Sequence, residues 1–343
     1  DQSWVMGVIN KLKKSPYARI RTRKADARQA ELKGIISRIK GMPVRNMFIG
    51  NGSDEAIDLC FRVFCEPGKD NAVSISPTYG MYQVAADINN VQIRQVALGE
   101  GFNLPVEDLL AACDADTKLM FVCSPNNPTG RIYTEDEITK LAEVLNEHGT
   151  KTGRFPYIIC DEPYRAITYD GQKVASVFPL YKNSLVVTSF AKNLSVPGER
   201  IGYIAVNPAA EDVSMLVSAC ILCTRILGFV NAPAFFQKVI AKSWNSKCDY
   251  SLYEKRCKEI MEVMDYAGLK YSRPQGAFYL FVKVPDEWND DDLAFCNHLK
   301  KFNILCAPGS GFAGKGWFRI AYCVAEKTIL NSREAFKKAV ESK

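Results

Sequence analysis

The stretch "SLVVTSFAKNLSVPGER", residues 184–200, sets an apolar run against a loop that carries a lysine at 192 and an arginine at 200. Residues 184–189 read as a buried strand. A lysine just beyond its end is either a solvated residue that happens to fall there or an amine held in a pocket, and the segment alone leaves both readings open. Two earlier segments share its layout. "YIICD" (157–161) is an apolar run that passes into "DEPYR", and "KLMFVCS" (118–124) is one that passes into "SPNNPTG". "NAVSIS" (71–76) and "RIGYIAVN" (200–207) are further strand candidates. Between them Thr134 and Glu137 spell a capping box, and Ile138, Leu141, Ala142 and Leu145 follow at helical spacing. Strands alternating with helices predict an α/β fold with a mainly parallel sheet. The polar clusters 124–130, 161–164 and 189–192 all follow carboxyl ends of strands, the edge at which such sheets bind ligands.

From about residue 208 the pattern turns helical. It then gives two alternating strand runs, "GAFYLFVKV" (276–284) and "WFRIAYCV" (317–324), with "NDDDLAFCNHLKK" reading as a helix between them. This predicts a smaller α+β domain. The expected division is an amino-terminal arm over 1–24, a large domain over 25–215 and a small domain over 216–343.

With 343 residues, 47% hydrophobic and 24% charged, the chain reads as an ordinary globular protein of two subdomains. No apolar run approaches the roughly 18–20 residues that span a bilayer. The start, "DQSWVMGVINKLKK", lacks the order of a signal peptide, so the expectation is a cytoplasmic protein with no membrane partner. Cys60, Cys65, Cys123 and Cys160 fall in apolar strand or helix patterns and read as small buried hydrophobes in a reducing compartment. Cys220 and Cys223 form one C-x-x-C without a second pair. The chain has only two histidines, so no metal site is expected. Residues 1–45 hold twelve Lys or Arg against three Asp or Glu, which leaves the remainder net negative. A solvated helix face explains this excess better than nucleic-acid binding, because no nucleic-acid module accompanies it.

"FIGNGSDEAIDLCFRVF" (48–64) gives a short strand, then Gly50, Gly52 and Ser53, then a helix with Ala56, Leu59, Cys60 and Val63 on its apolar face. Glycines ahead of a helix amino terminus can cradle a phosphate; the alternative is an ordinary turn with Asp54 as cap. Asn127 sits between prolines, either in a plain turn or as a fixed hydrogen-bonding amide. Asp161 ends an apolar run and needs a partner, since an unpaired buried carboxylate is costly. A cationic ring nitrogen would supply one, and the Tyr164 phenol can donate to a ring oxygen. Lys192 with a lowered pKa can form a Schiff base with an aldehyde, Arg200 is a forked phosphate donor, and Ser189 adds a hydroxyl. These are the parts that pyridoxal 5'-phosphate requires.

On these residues the chain resembles the fold-type I pyridoxal-phosphate aminotransferases of classes I and II. "GNGSDEAID", "PTYGMY", "SPNNPTG", "DEPYR", "SFAKNLSVPGERIGY" and "FRIAY" occur in the family's order. The resemblance covers residues from about 40 to 343. It implies a three-layer large domain with a mainly parallel sheet, a smaller α+β domain and a homodimer. It also implies that Lys192 carries the cofactor as a Schiff base and shuttles the proton. Asp161 pairs with the ring nitrogen, Asn127 and Tyr164 bond the ring oxygen, and Tyr79 stacks on the ring. Gly52, Ser53, Asp54, Ser189 and Arg200 hold the phosphate, and Arg319, beside Asn127, clamps the substrate carboxylate.

The first half is most similar to histidinol-phosphate aminotransferase, and the second half to the aspartate, alanine and aromatic branch. Histidinol-phosphate enzymes tend to carry an arginine just after the strand corresponding to "NILC" (303–306), where this chain has Cys306-Ala307-Pro308. Aligning on "ELKGIISRIKG" puts Lys24 about where the family has a tyrosine that reaches the neighbouring subunit's phosphate. The expectation is an aminotransferase acting between an L-amino acid and a 2-oxo acid. The alternatives are a histidinol-phosphate aminotransferase, a lyase or decarboxylase on the same fold, or an inactive cofactor-binding paralogue.

Overall fold

The computed structural model describes residues 29–244 and 248–342; the expected arm over 1–24, with Lys24, lies outside the described residues. Seven strands form the main sheet: β1 (Met47–Gly50), β2 (Asn71–Ser76), β3 (Gln92–Ala97), β4 (Thr117–Cys123), β5 (Tyr157–Asp161), β6 (Ser184–Ser189) and β7 (Gly202–Val206). Their order is β1-β7-β6-β5-β4-β2-β3. The pairs from β3 to β6 are parallel, whereas β7 runs antiparallel to both β6 and β1.

Burial on both faces explains the near-continuous apolar runs. Along β4, Leu119, Phe121 and Cys123 face one core, shared with the helix Ser53–Phe64, while Met120 and Val122 face the other, shared with the helix Glu135–Thr152. That second helix begins where the capping box predicts it. Glu137 N donates to Thr134 Oγ1 at 3.2 Å, and Thr134 N donates to Glu137 Oε2 at 2.8 Å. β3 went unread in the sequence. It is an edge strand, half-exposed and half polar, so it lacks the apolar run that marks its neighbours.

The orientation of β7 assembles the binding edge. The chain leaves β6 at Ser189, loops through Lys192 and Arg200, and re-enters beside it, so that Ser189 pairs with Gly202. β1 then runs antiparallel to β7 and pairs Gly50 with Gly202. The glycine turn after β1 therefore reaches the same edge as the loops after β4, β5 and β6.

A second, antiparallel sheet has the order β10-β11-β9-β8, from β8 (Tyr271–Ser272), β9 (Tyr279–Lys283), β10 (Ala307–Pro308) and β11 (Trp317–Ala321). The helices Ser251–Ala267 and Asp292–Lys300 pack against it. Its loops are stitched to the large sheet by Ala277 N to Ile167 O at 3.0 Å and Thr78 N to Phe312 O at 3.0 Å.

The expected boundary at 215/216 falls inside the helix Val213–Ile226, whose Val217 and Cys220 belong to the core of the large sheet. The following helix, Ala234–Ser243, buries Ile240 against Leu32 and Ile36. We therefore place the division after this helix; apolar packing carries it past the point where the helical pattern begins. All twelve cysteines are free. Among the described residues no helix is long and apolar enough to cross a membrane, and no group of His, Cys, Asp or Glu is arranged to hold a metal.

Candidate active site

Side-chain alternation decides which strand-end groups meet. Asp161 has the parity of Ile159, and Ser189 that of Leu185 and Val187, so both point to the face that carries the helix Ser53–Phe64. From the same side Tyr82, 1% exposed, donates its hydroxyl to Asp161 Oδ2 at 2.8 Å. Asp161 Oδ1 is buried with no hydrogen-bond partner among the described residues. Burial lifts the Asp161 carboxyl to about 7, against the opposing pull of the Tyr82 hydroxyl.

Asp161 sits in the wall of a cavity of about 260 Å³. Ser53, Asp54, Tyr79, Asn127, Tyr164, Ser189, Lys192, Arg200 and Arg319 line the same cavity, so the structure brings together the residues that the sequence points to. Gly52 lies in the turn beside it. Its φ of +96° is a conformation that favours glycine, and a methyl group there would come within 3.0 Å of Arg200 Nη2.

Lys192 is carried on a short helix, Phe190–Asn193, capped by Ser189. The Ser189 hydroxyl accepts from Ala191 N at 3.1 Å and donates to Ile201 O at 3.3 Å. Lys192 Nζ lies 5.4 Å from the ring centre of Phe278 and 5.8 Å from that of Tyr164. Burial, followed by the positive charges of Arg200 and Arg319, lowers the lysine pKa, while Asp54 and Cys323 act the other way.

The candidate anion end is built from the helix Ser53–Phe64, whose first turn has no side-chain cap, and from Arg200, held at a φ of +45°. Arg200 Nη2 meets Asp54 Oδ2 at 2.8 Å, and Tyr79 OH donates to Asp54 Oδ1 at 2.9 Å. Gly202 permits this packing. A methyl group there would lie 2.4 Å from Thr188 O and 3.0 Å from the Gly52 backbone. Gly202→Ala is expected to destabilise the chain by about 1–3 kcal/mol and to open the turn at Gly52, measured by denaturant unfolding and by uptake of the cofactor.

The opposite wall comes from the second sheet. Arg319 on β11 donates through Nη1 to Asn127 Oδ1 at 2.8 Å. Its guanidinium carbon lies 4.1 Å from the ring centre of Tyr279 and 4.3 Å from that of Phe312, and its Nε is buried without a hydrogen-bond partner among the described residues. Tyr279 OH also meets Tyr164 OH at 3.1 Å.

Tyr82, Tyr279 and Phe312 were missed as site residues. Tyr82 lies within the quoted "PTYGMY", and Tyr279 within an alternating strand whose period would place it on the face of Arg319.

The family description "Aminotransferase class I and II" matches residues 16–336. The chain belongs to this family. An aminotransferase structure from Eubacterium rectale superposes with a TM-score of 0.85 at 34% identity, covering 92% of this chain and 79% of that one. An aspartate aminotransferase from Thermus thermophilus, solved with maleate, has a TM-score of 0.80 at 23% identity, covers 91% of this chain and 81% of its own, and shows the fold alone. Histidinol-phosphate aminotransferase from Bacteroides thetaiotaomicron is 43% identical over 198 residues, which is 58% of this chain and 54% of the relative. The chain spans about half the length of the curated relatives it matches.

The aminotransferase family uses pyridoxal 5'-phosphate, and the residues present fit it. A buried carboxylate oxygen without a partner suits a protonated ring nitrogen. An uncapped helix start beside an arginine suits a phosphate.

Proposed function

We propose that the chain is a pyridoxal-phosphate-dependent aminotransferase that moves an amino group between an L-amino acid and a 2-oxo acid. The observation that carries this reading is the unpartnered, buried Asp161 Oδ1 in one small cavity with a half-buried lysine of lowered pKa. When bound, the cofactor supplies a reactive carbonyl carbon and an electron sink.

In this reading Asp161 faces the ring nitrogen, Tyr164 and Asn127 the ring oxygen, and Tyr79 the ring plane. Ser53, Asp54, Ser189 and Arg200 take the phosphate, with the turn at Gly52 letting the backbone approach. Arg319, held flat between two rings, offers its free edge to a substrate α-carboxylate. Lys192 would hold the cofactor through its amine, and as a free amine it would be the group that takes and gives back the proton of the substrate α-carbon. Its lowered pKa favours the neutral amine that this task needs.

A homodimer is part of the reading. Met215, Leu222 and Ile226 form an exposed apolar stripe on the helix Val213–Ile226, continued by Phe229, and a second copy would cover it. A cytoplasmic location and small-molecule substrates complete it.

Histidinol phosphate as the donor is the second reading, favoured by the similarity to enzymes of that name. Against it, the region expected to hold an arginine for the substrate phosphate reads Cys306-Ala307-Pro308, and its Ala307 pairs with Arg319 across β10 and β11. Mixing the yellow holoenzyme with aspartate, aromatic amino acids and histidinol phosphate in turn tests both. An amino acid donor should bleach the yellow band to the pyridoxamine form. Arg319→Lys should raise the donor KM roughly tenfold or more by losing the two-pronged fit. A holoenzyme that no donor converts refutes the aminotransferase reading.

A further inference from the structure

Glu55 carries a carboxylate with an unusual set of partners. It is 9% exposed, and neither oxygen meets a cation among the described residues. Oε2 accepts from the backbone N–H of Asn51 and from Asn51 Nδ2 at 2.8 Å. Oε1 accepts from the hydroxyl of Thr224, 1% exposed, on the helix Val213–Ile226. The turn is wrapped closely around this group: a methyl at Gly50 would come within 2.6 Å of Glu55 Oε2.

We propose that Glu55 is a positioning residue for the cofactor phosphate, acting through Asn51 and held in turn by Thr224. The proposal rests on the cofactor reading above. Asn51 immediately precedes Gly52 and Ser53, so two hydrogen bonds from one residue to the first turn of the following helix fix the path of the 51–53 backbone. That path aims the uncapped amides of the helix start at the anion end of the cavity. A buried carboxylate bonded by neutral donors is strongly orienting, because each lost donor leaves charge unsatisfied. Among the described residues Thr224 supplies the one anchor outside the turn. It makes the helix Val213–Ile226 the support against which the cradle is held.

The test separates phosphate recognition from general folding. Dissociation constants of pyridoxal phosphate and of pyridoxal, which lacks the phosphate, are measured on the full chain after its cofactor has been washed out. Glu55→Gln keeps the shape but replaces the charged acceptor of the two Asn51 donors with a neutral carbonyl oxygen. It is expected to lower the preference for the phosphorylated compound by about tenfold. Thr224→Val should lower that preference by about threefold, and Thr224→Ser should restore it. If Glu55→Gln does not fold, the Thr224 pair carries the test. Equal weakening of both compounds, or an unchanged preference, overturns the proposal while leaving the cofactor reading intact. A wild-type chain that binds neither compound overturns both.

Discussion

Lys192→Ala is expected to lower the rate of amino transfer from any donor by at least roughly 10⁴-fold, because one amine is assigned both the bond to the cofactor and the proton transfer. The protein should still bind the cofactor through Asp161 and the anion end, but without the yellow band that a lysine-linked cofactor gives. Small amines added to the variant should return part of the lost rate. A variant that keeps its rate within tenfold of the wild type would remove Lys192 from the mechanism. The fold should not suffer. Lys192 has a folded-state pKa below that of an exposed lysine, so its charge is disfavoured in the folded chain at neutral pH, and that penalty is relieved only as pH rises. Deleting the side chain removes the penalty, so thermal unfolding at pH 7 should show a stability equal to the wild type or higher.

Asp161→Asn should act in opposite directions on activity and stability. Activity is expected to fall by about 10²–10³-fold, since the amide can no longer favour a protonated ring nitrogen. Stability of the cofactor-free chain should rise above pH 4. The Asp161 carboxyl is raised to about 7 in the folded state, so between its ordinary value and 7 the unfolded chain gives up a proton that the folded chain keeps. Wild-type stability is therefore lost as pH rises through that window, by up to about 4 kcal/mol at pH 8, and the asparagine variant escapes the loss. Unfolding of both proteins at pH 4, 6 and 8 checks this. A gap that fails to widen with pH would show that Asp161 is not the buried, poorly partnered acid described above.

Much of this site was legible before the structure because burial on both sheet faces leaves a plain trace. Apolar runs such as "YIICD" end abruptly in polar residues, and that break marks the binding edge. Asp161, Asn127 and Lys192 follow directly from it. What lay hidden depends on side chains converging from distant segments. Tyr82 is one of several aromatic residues near a helix start until the parity of β5 turns Asp161 toward it. Tyr279 and Phe312 matter only because β11 presents Arg319 between them. Glu55 reads as part of a polar helix start, and nothing local announces that Thr224 will meet it. The direction of β7 was equally silent, since an apolar run looks the same read either way along a sheet.

That direction has a consequence for the order in which the molecule is built. Among the described residues β1 is an edge strand whose one strand neighbour is β7, some 150 residues further along the chain. As the polypeptide emerges, β2 to β6 can add to one another in turn, while β1, bonded at Ile49 by the Gln29 side chain, waits for its strand partner until β7 exists. Contacts of such long sequence separation form late. The turn proposed to receive the phosphate is therefore expected among the last parts of the sheet to close, so that cofactor uptake would mark a chain whose large sheet is complete.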